Sequence, residues 1–379
     1  MTDDPPLPLL AHVAAVEDPR VERTTLHPLA HILTIAMSAV IRGAETWDDI
    51  EAFGQAKADW FAPFLDLTNG IPSPDPFHRV FAALDADQFR AGFLAWMRAV
   101  CTVLPAEVVA IDGKTRRRSH DRGAGKAALH LVSAWAATNR LVLGHVPVAA
   151  KSNEMTAIPE VLRALTISGC VVTIDAMGCQ RDIAEQILAH DAGHVLALKD
   201  NPSDLFADVQ ETLRGAAAEA WQGVGYDYAR EVDKGHGRIE TRQAWVLHDP
   251  EHLVWLQAAH HWPGLAAVGL VEASRHIGAE RTVERRSYLL RAPLTATAFG
   301  EAVRGHWGIE NQVHWVLDVG FREDLSRIRA GAAAANMTVL RHSARNLLQQ
   351  TTVGRLSIKT KRLNAGWDHA FLLQLLRAL

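Results

Sequence analysis

The sequence predicts a mixed α/β domain with a β-rich insertion, preceded by a small all-helical domain. Three observations carry this. Residues 22–103 repeat apolar positions at three- and four-residue spacing. From about residue 105, short apolar runs alternate with helical patterns. Between about residues 221 and 293, four strand-like segments follow one another.

The elements can be justified in order. Residues 1–20 hold several acids and prolines and read as an exposed lead-in. The run HPLAHILTIAMSAVIRGAETWDDIEAF is helical, with Gly43 ending one helix and Thr46 followed by Asp49 capping the next. SPDPFHRVFAAL starts another helix, completing a helical domain over 21–104. EVVAID, LHLVSAWAA and RLVLGHVPV read as three strands, then TAIPEVLRALTIS as a helix, CVVTIDA as a strand, QRDIAEQILAH as a helix, HVLALK as a strand and SDLFADVQETLRGAAAEAW as a helix. Three strands followed by alternating helices and strands imply a layered sheet with an antiparallel start. The RNase H-like fold has this order, a likeness of fold alone. YDYAREV, RIETRQAWVL, AAVGLVEAS and TVERRSYLL make up the insertion. A long helix from about Leu294 carries HWGIENQVHWVLD, and AAAANMTVLRHSARNLLQQ is a further helix. This α/β domain spans 105–350. Residues 351–379 read as a basic, loosely structured tail with one short helix, HAFLLQLLRAL.

Of the 379 residues, 48% are hydrophobic and 22% charged, a soluble globular balance that can bury a large core. The net charge of −4 does not point to nucleic acid, so any such reading rests on local charge. Three cysteines without metal-ligand spacing suit a reducing cytoplasm. The acidic, Pro-rich start is not a signal peptide, and no apolar run is long enough to span a membrane.

Asp112 and Asp175 each end an apolar strand, where α/β folds gather ligands. Either acid alone could equally cap a helix or face solvent. Glu310 sits in HWGIENQVHW with His306 and His314 one turn away on roughly one face. Those histidines could instead satisfy buried backbone or stack on Trp307 and Trp315. Three carboxylates suit hard cations, Mg²⁺ or Mn²⁺, and two such ions can drive phosphodiester cleavage.

These blocks resemble the DDE transposases of bacterial insertion sequences, in the branch that includes the H-repeat-associated proteins. The resemblance covers nearly the whole chain, through DPRVERTTLHPLAHILTIAMSAVIRGAETWDDIEAFG, VVAIDGKTRR, KSNEMTAIPEVL, VVTIDAMGCQRDIA, VLALKDNP, KGHGRIETR and RGHWGIENQVHWVLDVGFREDLSRIR in order. It implies that Asp112, Asp175 and Glu310 form a metal-binding triad in an RNase H-like catalytic domain, with two Mg²⁺ or Mn²⁺ ions per site. The implied partner is double-stranded DNA, both transposon terminal inverted repeats and target, bound by a homodimer in the bacterial cytoplasm. Related transposases often surround the glutamate with Tyr-x2-Arg-x3-Glu-x6-Lys. Here Val303, His306 and Leu317 occupy the Tyr, Arg and Lys positions.

Cations for DNA must then come from elsewhere. Between Asp112 and Lys126 there are six Lys or Arg against two Asp, including Lys114, Arg116, Arg117 and Arg118. From Arg322 to Arg362 there are nine against two acids, including Arg341 and Arg345. Lys199, Arg304 and His306 could replace the missing phosphate contacts. Glycines around His236 suggest a tight hairpin with Arg238 and Arg242 on one strand face. Trp307, Asn311 and His314 flank Glu310, and Trp307 and Trp315 could stack on a displaced base.

The expected activity is binding of transposon ends, hydrolysis at each end to free a 3′-OH, and attack of that 3′-OH on target DNA. Two rivals stand beside it: a catalytically silent DNA-binding descendant, and a zinc hydrolase built on His306, Glu310 and His314, whose spacing lacks a firm match.

Overall fold

Helix α1 (Leu29–Arg42) carries the predicted apolar spacing and buries Ile32 to Ile41. It stops at Gly43, whose φ of 131° suits a residue without a side chain. Thr46 and Asp49 form the predicted capping box at the start of α2 (Trp47–Ala56), each side chain accepting from the other's backbone N–H, at 3.1 and 2.9 Å. Such a cap stabilises a helix by about 1 kcal/mol. The short α3 (Ala58–Phe61), then α4 (Pro74–Ala83) and α5 (Ala86–Val100), complete the N-terminal helices. This computed structural model describes residues 11–12, 15–21, 25–120, 123, 125–149, 152–199, 203–235, 237–278, 280–291, 294–351 and 356–377.

All five strands read in the α/β half form. They are β1 (Val108–Thr115), β2 (His130–Ala136), β3 (Leu141–Pro147), β4 (Val171–Ile174) and β5 (Gly193–Leu198). β3, β2 and β1 pair antiparallel, and β1, β4 and β5 pair parallel. The order β3-β2-β1-β4-β5 is that of an RNase H-like sheet. β6 (Tyr226–Gly235), β7 (Arg238–Leu247), β8 (Ala267–Ile277) and β9 (Glu280–Leu290) do not form a separate body. They extend the same sheet past β5, through β9, to nine strands.

The sheet is covered on both faces. Val109 and Ile111 of β1 join α6 (Glu154–Ala164), α7 (Arg181–Ala189) and α8 (Ser203–Ala218) in one core. Ala110 faces the other way, into the core of the N-terminal helices. Strand alternation therefore sends Asp112, Lys114 and Arg116 to that second face. There lie α10 (Ala296–Ile309), which packs Phe299 and Val303 on Val171, Val195 and Leu290, and α11 (Ala333–Gln350).

Four expectations change. The N-terminal helices have no core of their own, because Ile32, Phe81 and Phe93 share one with Met337, Leu347 and Phe371. Val16 of the expected exposed lead-in is buried in it too. Among its described residues, the tail is not loosely structured. It forms α12 (Ile358–Trp367) and α13 (His369–Arg377), and Lys361 Nζ donates to the carbonyls of Leu348 (2.8 Å) and Thr351 (2.7 Å) at the end of α11. A helix that went unread, α9 (Pro250–His260), interrupts the strands of the insertion, capped by Asp249. Among the described residues, no helix is long and apolar enough to cross a membrane.

Candidate active site

Asp112 and Asp175 are each one residue beyond Ile111 and Ile174, which pair across the parallel strands β1 and β4. The two carboxylates therefore leave adjacent strands at one level. Asp175 also caps a short 3₁₀ turn, its Oδ1 accepting from the N–H of Met177 (3.1 Å) and Gly178 (3.3 Å). The capping role and the strand-end placement hold together, since Oδ1 alone makes the cap.

Glu310 opens a stretch where α10 widens into two π-helical turns, Glu310–His314 and Val316–Gly320. Such turns are rare and cluster at functional sites. The helix seats closely on β2: a Cβ on Gly308 would run into the Trp135 ring. On either side of the exposed Glu310, His306 and His314 reach the two strand ends. His306 Nδ1 is 3.1 Å from Thr173 Oγ1, and His314 Nδ1 is 3.5 Å from Asp112 Oδ2. Burial lowers the pKa of both histidines, that of His314 to about 4, so both are neutral imidazoles near neutral pH. His306 therefore does not stand in for a permanently charged arginine.

Burial raises the Asp112 pKa to about 7. A hydrogen bond from the Gly113 N–H opposes the shift, and the charges of Asp175, Glu154 and Glu310 add to it. Sequence reasoning missed Glu154, which lies inside the KSNEMTAIPEVL block. It opens α6, lies where a side chain on Gly113 would be, and its Oε1 accepts from His130 Nε2 at 2.8 Å. Among the described residues, no three His, Cys, Asp or Glu are gathered to hold a metal ion as they stand. That applies equally to His306, Glu310 and His314 and to the three acids. The acids nevertheless fit hard divalent cations in chemistry: they are all-oxygen donors, and a cation would relieve the burial and the like charges that together favour a proton on Asp112.

Much of the basic sequence beside these acids is structural. Lys114 lies on the Asp112 face of β1 and bonds Asp318, Glu323 (3.2 Å) and the carbonyl of His314 (3.5 Å). Arg116 is fully buried, its guanidinium 3.6 Å from Glu323 and bonded to the Ala334 carbonyl and Thr338 (3.1 Å). Arg341 is buried against the same Glu323, at 3.9 Å. Arg345 is buried on the carbonyls of Arg140 and Gln312. Lys114, Arg116, Arg341 and Arg345 thus lie inside the fold rather than on its surface: Lys114 and Arg345 reach the π-helical turns that begin at Glu310, and Arg116 and Arg341 face Glu323 beside α11. Arg117 and Arg118 remain exposed, Arg117 lying 3.5 Å from Asp324.

The hairpin arginines are also engaged. Arg238 and Arg242 flank Glu240 on one face of β7, and both pair with it. This acid, two residues from each, meets the charge of both. Arg304 pairs with Glu231 and lies 3.8 Å from Asp233. Asn311 Nδ2 donates to the Trp307 carbonyl within its own helix, at 3.1 Å. His236 lies outside the described residues.

Lys199 differs from these in having no acid paired with it among the described residues. It is exposed in a cleft of about 430 Å³ shared with Asp175, His306, Trp307 and Glu310. Arg285 and Arg286 of β9 line it too, and sequence reasoning missed both. Their signal was an arginine pair just before the buried run of Tyr288, Leu289 and Leu290. The Arg286 guanidinium lies over the Trp307 ring, 4.5 Å from its centre.

The sheet order and the acids at its strand ends define an RNase H-like domain. The chain belongs to the DDE transposase family: residues 104–347 match the family described as Transposase DDE domain, and residues 10–97 match the region described as DDE_Tnp_1-associated. It is 36% identical over 372 residues, 97% of both chains, to the protein YbfL of Escherichia coli K12. It is as similar, over the same shares, to the H repeat-associated candidate transposase YhhI of that strain. It is 41% identical over 278 residues to a protein encoded in the dhlA 3′ region of Xanthobacter autotrophicus, covering 72% of this chain and 91% of that one. A piggyBac transposase in a synaptic complex with hairpin DNA aligns at a TM-score of 0.44 and 8% identity, over 98% of this chain and 75% of that one.

Proposed function

We propose that this chain is an active transposase that binds the ends of its own element, cleaves DNA there and joins the freed 3′-OH to target DNA. The observation that carries the reading is the level pairing of Ile111 with Ile174, which brings Asp112 and Asp175 out side by side beneath the helix of Glu310. In this reading Asp112, Asp175 and Glu310 hold two Mg²⁺ or Mn²⁺ ions. Bound there, the ions would activate an attacking oxygen and stabilise the leaving one.

The chain's own residues do the rest. His314 stands 3.5 Å from the Asp112 carboxyl, and His306, anchored on Thr173, lines the cleft it shares with Asp175. Lys199, Arg285 and Arg286 offer cations to the phosphate. Arg117 and Arg118 add a peripheral contact to the duplex. Two ends must be held together for the reaction, which calls for a homodimer on DNA, working in the bacterial cytoplasm on the nucleoid.

Nicking of supercoiled plasmid with Mn²⁺ tests this. Asp112→Asn, Asp175→Asn and Glu310→Gln should each abolish nicking and leave DNA binding within about twofold, since metals and not side-chain nucleophiles drive the chemistry. Nicking that survives any one of the three changes sinks the triad. A wild-type protein that binds DNA and never nicks it would be a silent descendant.

A further inference from the structure

A second cleft, of about 1040 Å³, opens beside the first, between α10 and the strands of the insertion. The two share one wall, made by Arg286, Trp307, Tyr288, Val303 and Glu284. The larger cleft has no role in the site described so far. Its lining carries five arginines, Arg140, Arg230, Arg242, Arg286 and Arg304, against three glutamates. The whole chain has a net charge of −4, so this excess is a local reversal of sign.

The seam between the clefts is built. Arg286 lies flat on Trp307, and Glu284 Oε1 holds its Nε and one terminal nitrogen, at 2.9 and 2.7 Å. Glu284 takes two of the five guanidinium donors. Trp307 is three residues before Glu310, so the seam lies one helical turn from the candidate metal ligands. The volume is at the top of the range that holds a small molecule, which leaves room for a few linked nucleotides. A duplex is far bulkier than one strand, since its major groove alone is about 12 Å wide.

We propose that the larger cleft takes a single DNA strand leading to or from the phosphate at the acidic strand ends, with Arg286 holding one of its phosphates at the seam. This rests on the transposase reading and adds a strand path to it. The exposed pair of Arg304 with Glu231 is weak enough to exchange for phosphate.

The test uses the full-length protein and a fluorescent single strand of about 12 nucleotides, within the site sizes of single-strand binders. Gly300 lines the cleft, and a Cβ there would meet only Ala244, at 3.6 Å. Gly300→Phe should fill the space and weaken single-strand binding about tenfold, a difference of about 1.4 kcal/mol. Duplex binding and the thermal shift caused by Mn²⁺ should stay as in the wild type. Arg286→Ala should lower the salt dependence of single-strand binding by a slope of about one, and it decides the matter if Gly300→Phe does not fold. Unchanged single-strand affinity in a folded Gly300→Phe protein, equal losses for single strand and duplex, or an unchanged salt slope in Arg286→Ala each overturns the proposal. A wild-type protein that binds the strand in this way without ever nicking DNA would overturn the transposase reading and leave the cleft standing.

Discussion

The Glu323 carboxylate lies 3.6 Å from the Arg116 guanidinium, and each side chain is only 1% exposed. Lys114 and Arg341 face the same carboxylate. Removing its charge leaves buried cations uncompensated, a change that typically costs about 3–5 kcal/mol. Glu323→Gln should lose that much in urea unfolding, and a loss under about 1 kcal/mol would mean that the cations find other partners. Burial alone would raise the Glu323 pKa, but the charges of Arg116, Lys114 and Arg341 outweigh it and bring it to about 2. A depressed carboxylate pKa contributes stability that is present above its ordinary value of 4.5 and lost as pH falls through about 2. The variant's deficit should therefore shrink in strong acid.

Asp112 has the opposite sign. Its folded-state pKa is raised from 3.8 to about 7, first by burial and then by the charges of Asp175, Glu154 and Glu310. Without divalent ions, its contribution to stability is fully present below about 3.8 and is lost as pH rises through about 7. A cation must displace that proton, so Mn²⁺ should raise the melting temperature more at pH 8 than at pH 6. A shift that is the same at both, or larger at pH 6, places the bound ion away from Asp112. Asp112→Asn should remove the pH dependence.

The strands were legible because each is a short apolar run bounded by turn residues, and the β1 and β4 runs end in their acids. The cap of α2 was legible from Thr46 and Asp49 alone. Helix α9 was not, although Asp249 and Pro250 mark its start, because its apolar residues do not form one stripe: Leu256 is buried while its neighbours Val254 and Trp255 are exposed. Charge was the least legible property. A run such as Lys114–Arg118 reads as one basic patch, but strand alternation turns Lys114 and Arg116 inward onto a glutamate about 200 residues away in sequence. No local pattern announces Glu323 as their partner. The seam of Arg286 on Trp307 was hidden for the same reason, since strand pairing alone brings β9 beside α10.

That division of the basic run gives a sharp contrast between neighbours. Arg117 and Arg118 are exposed, so replacing both with Ala should leave stability within about 0.5 kcal/mol. DNA affinity should fall, and the log–log salt slope should drop by about two, one for each phosphate that is no longer neutralised. Arg116→Ala should do the reverse, lowering the melting temperature sharply because Glu323 then lacks its nearest guanidinium. If Arg116→Ala proves as stable as the wild type and only DNA binding suffers, the buried placement of this arginine is wrong.

Gly308 tests how closely the seating of the helix governs the site. Its missing Cβ lets α10 rest on the Trp135 ring. Alanine favours a helix over glycine by about 1 kcal/mol, so on an open helix Gly308→Ala would stabilise. Here the added methyl must push the helix away from β2, and overpacking of this kind costs about 1–3 kcal/mol. The two effects partly cancel, and thermal unfolding should show a net loss of no more than about 2 kcal/mol. Glu310 is two residues further along and moves with the backbone. A displacement of about 1 Å at a reacting centre can cost about a hundredfold in rate. Plasmid nicking should therefore fall far more than stability does. A variant that gains stability and nicks at the wild-type rate would show that the packing of Gly308 on Trp135 does not hold Glu310 in place.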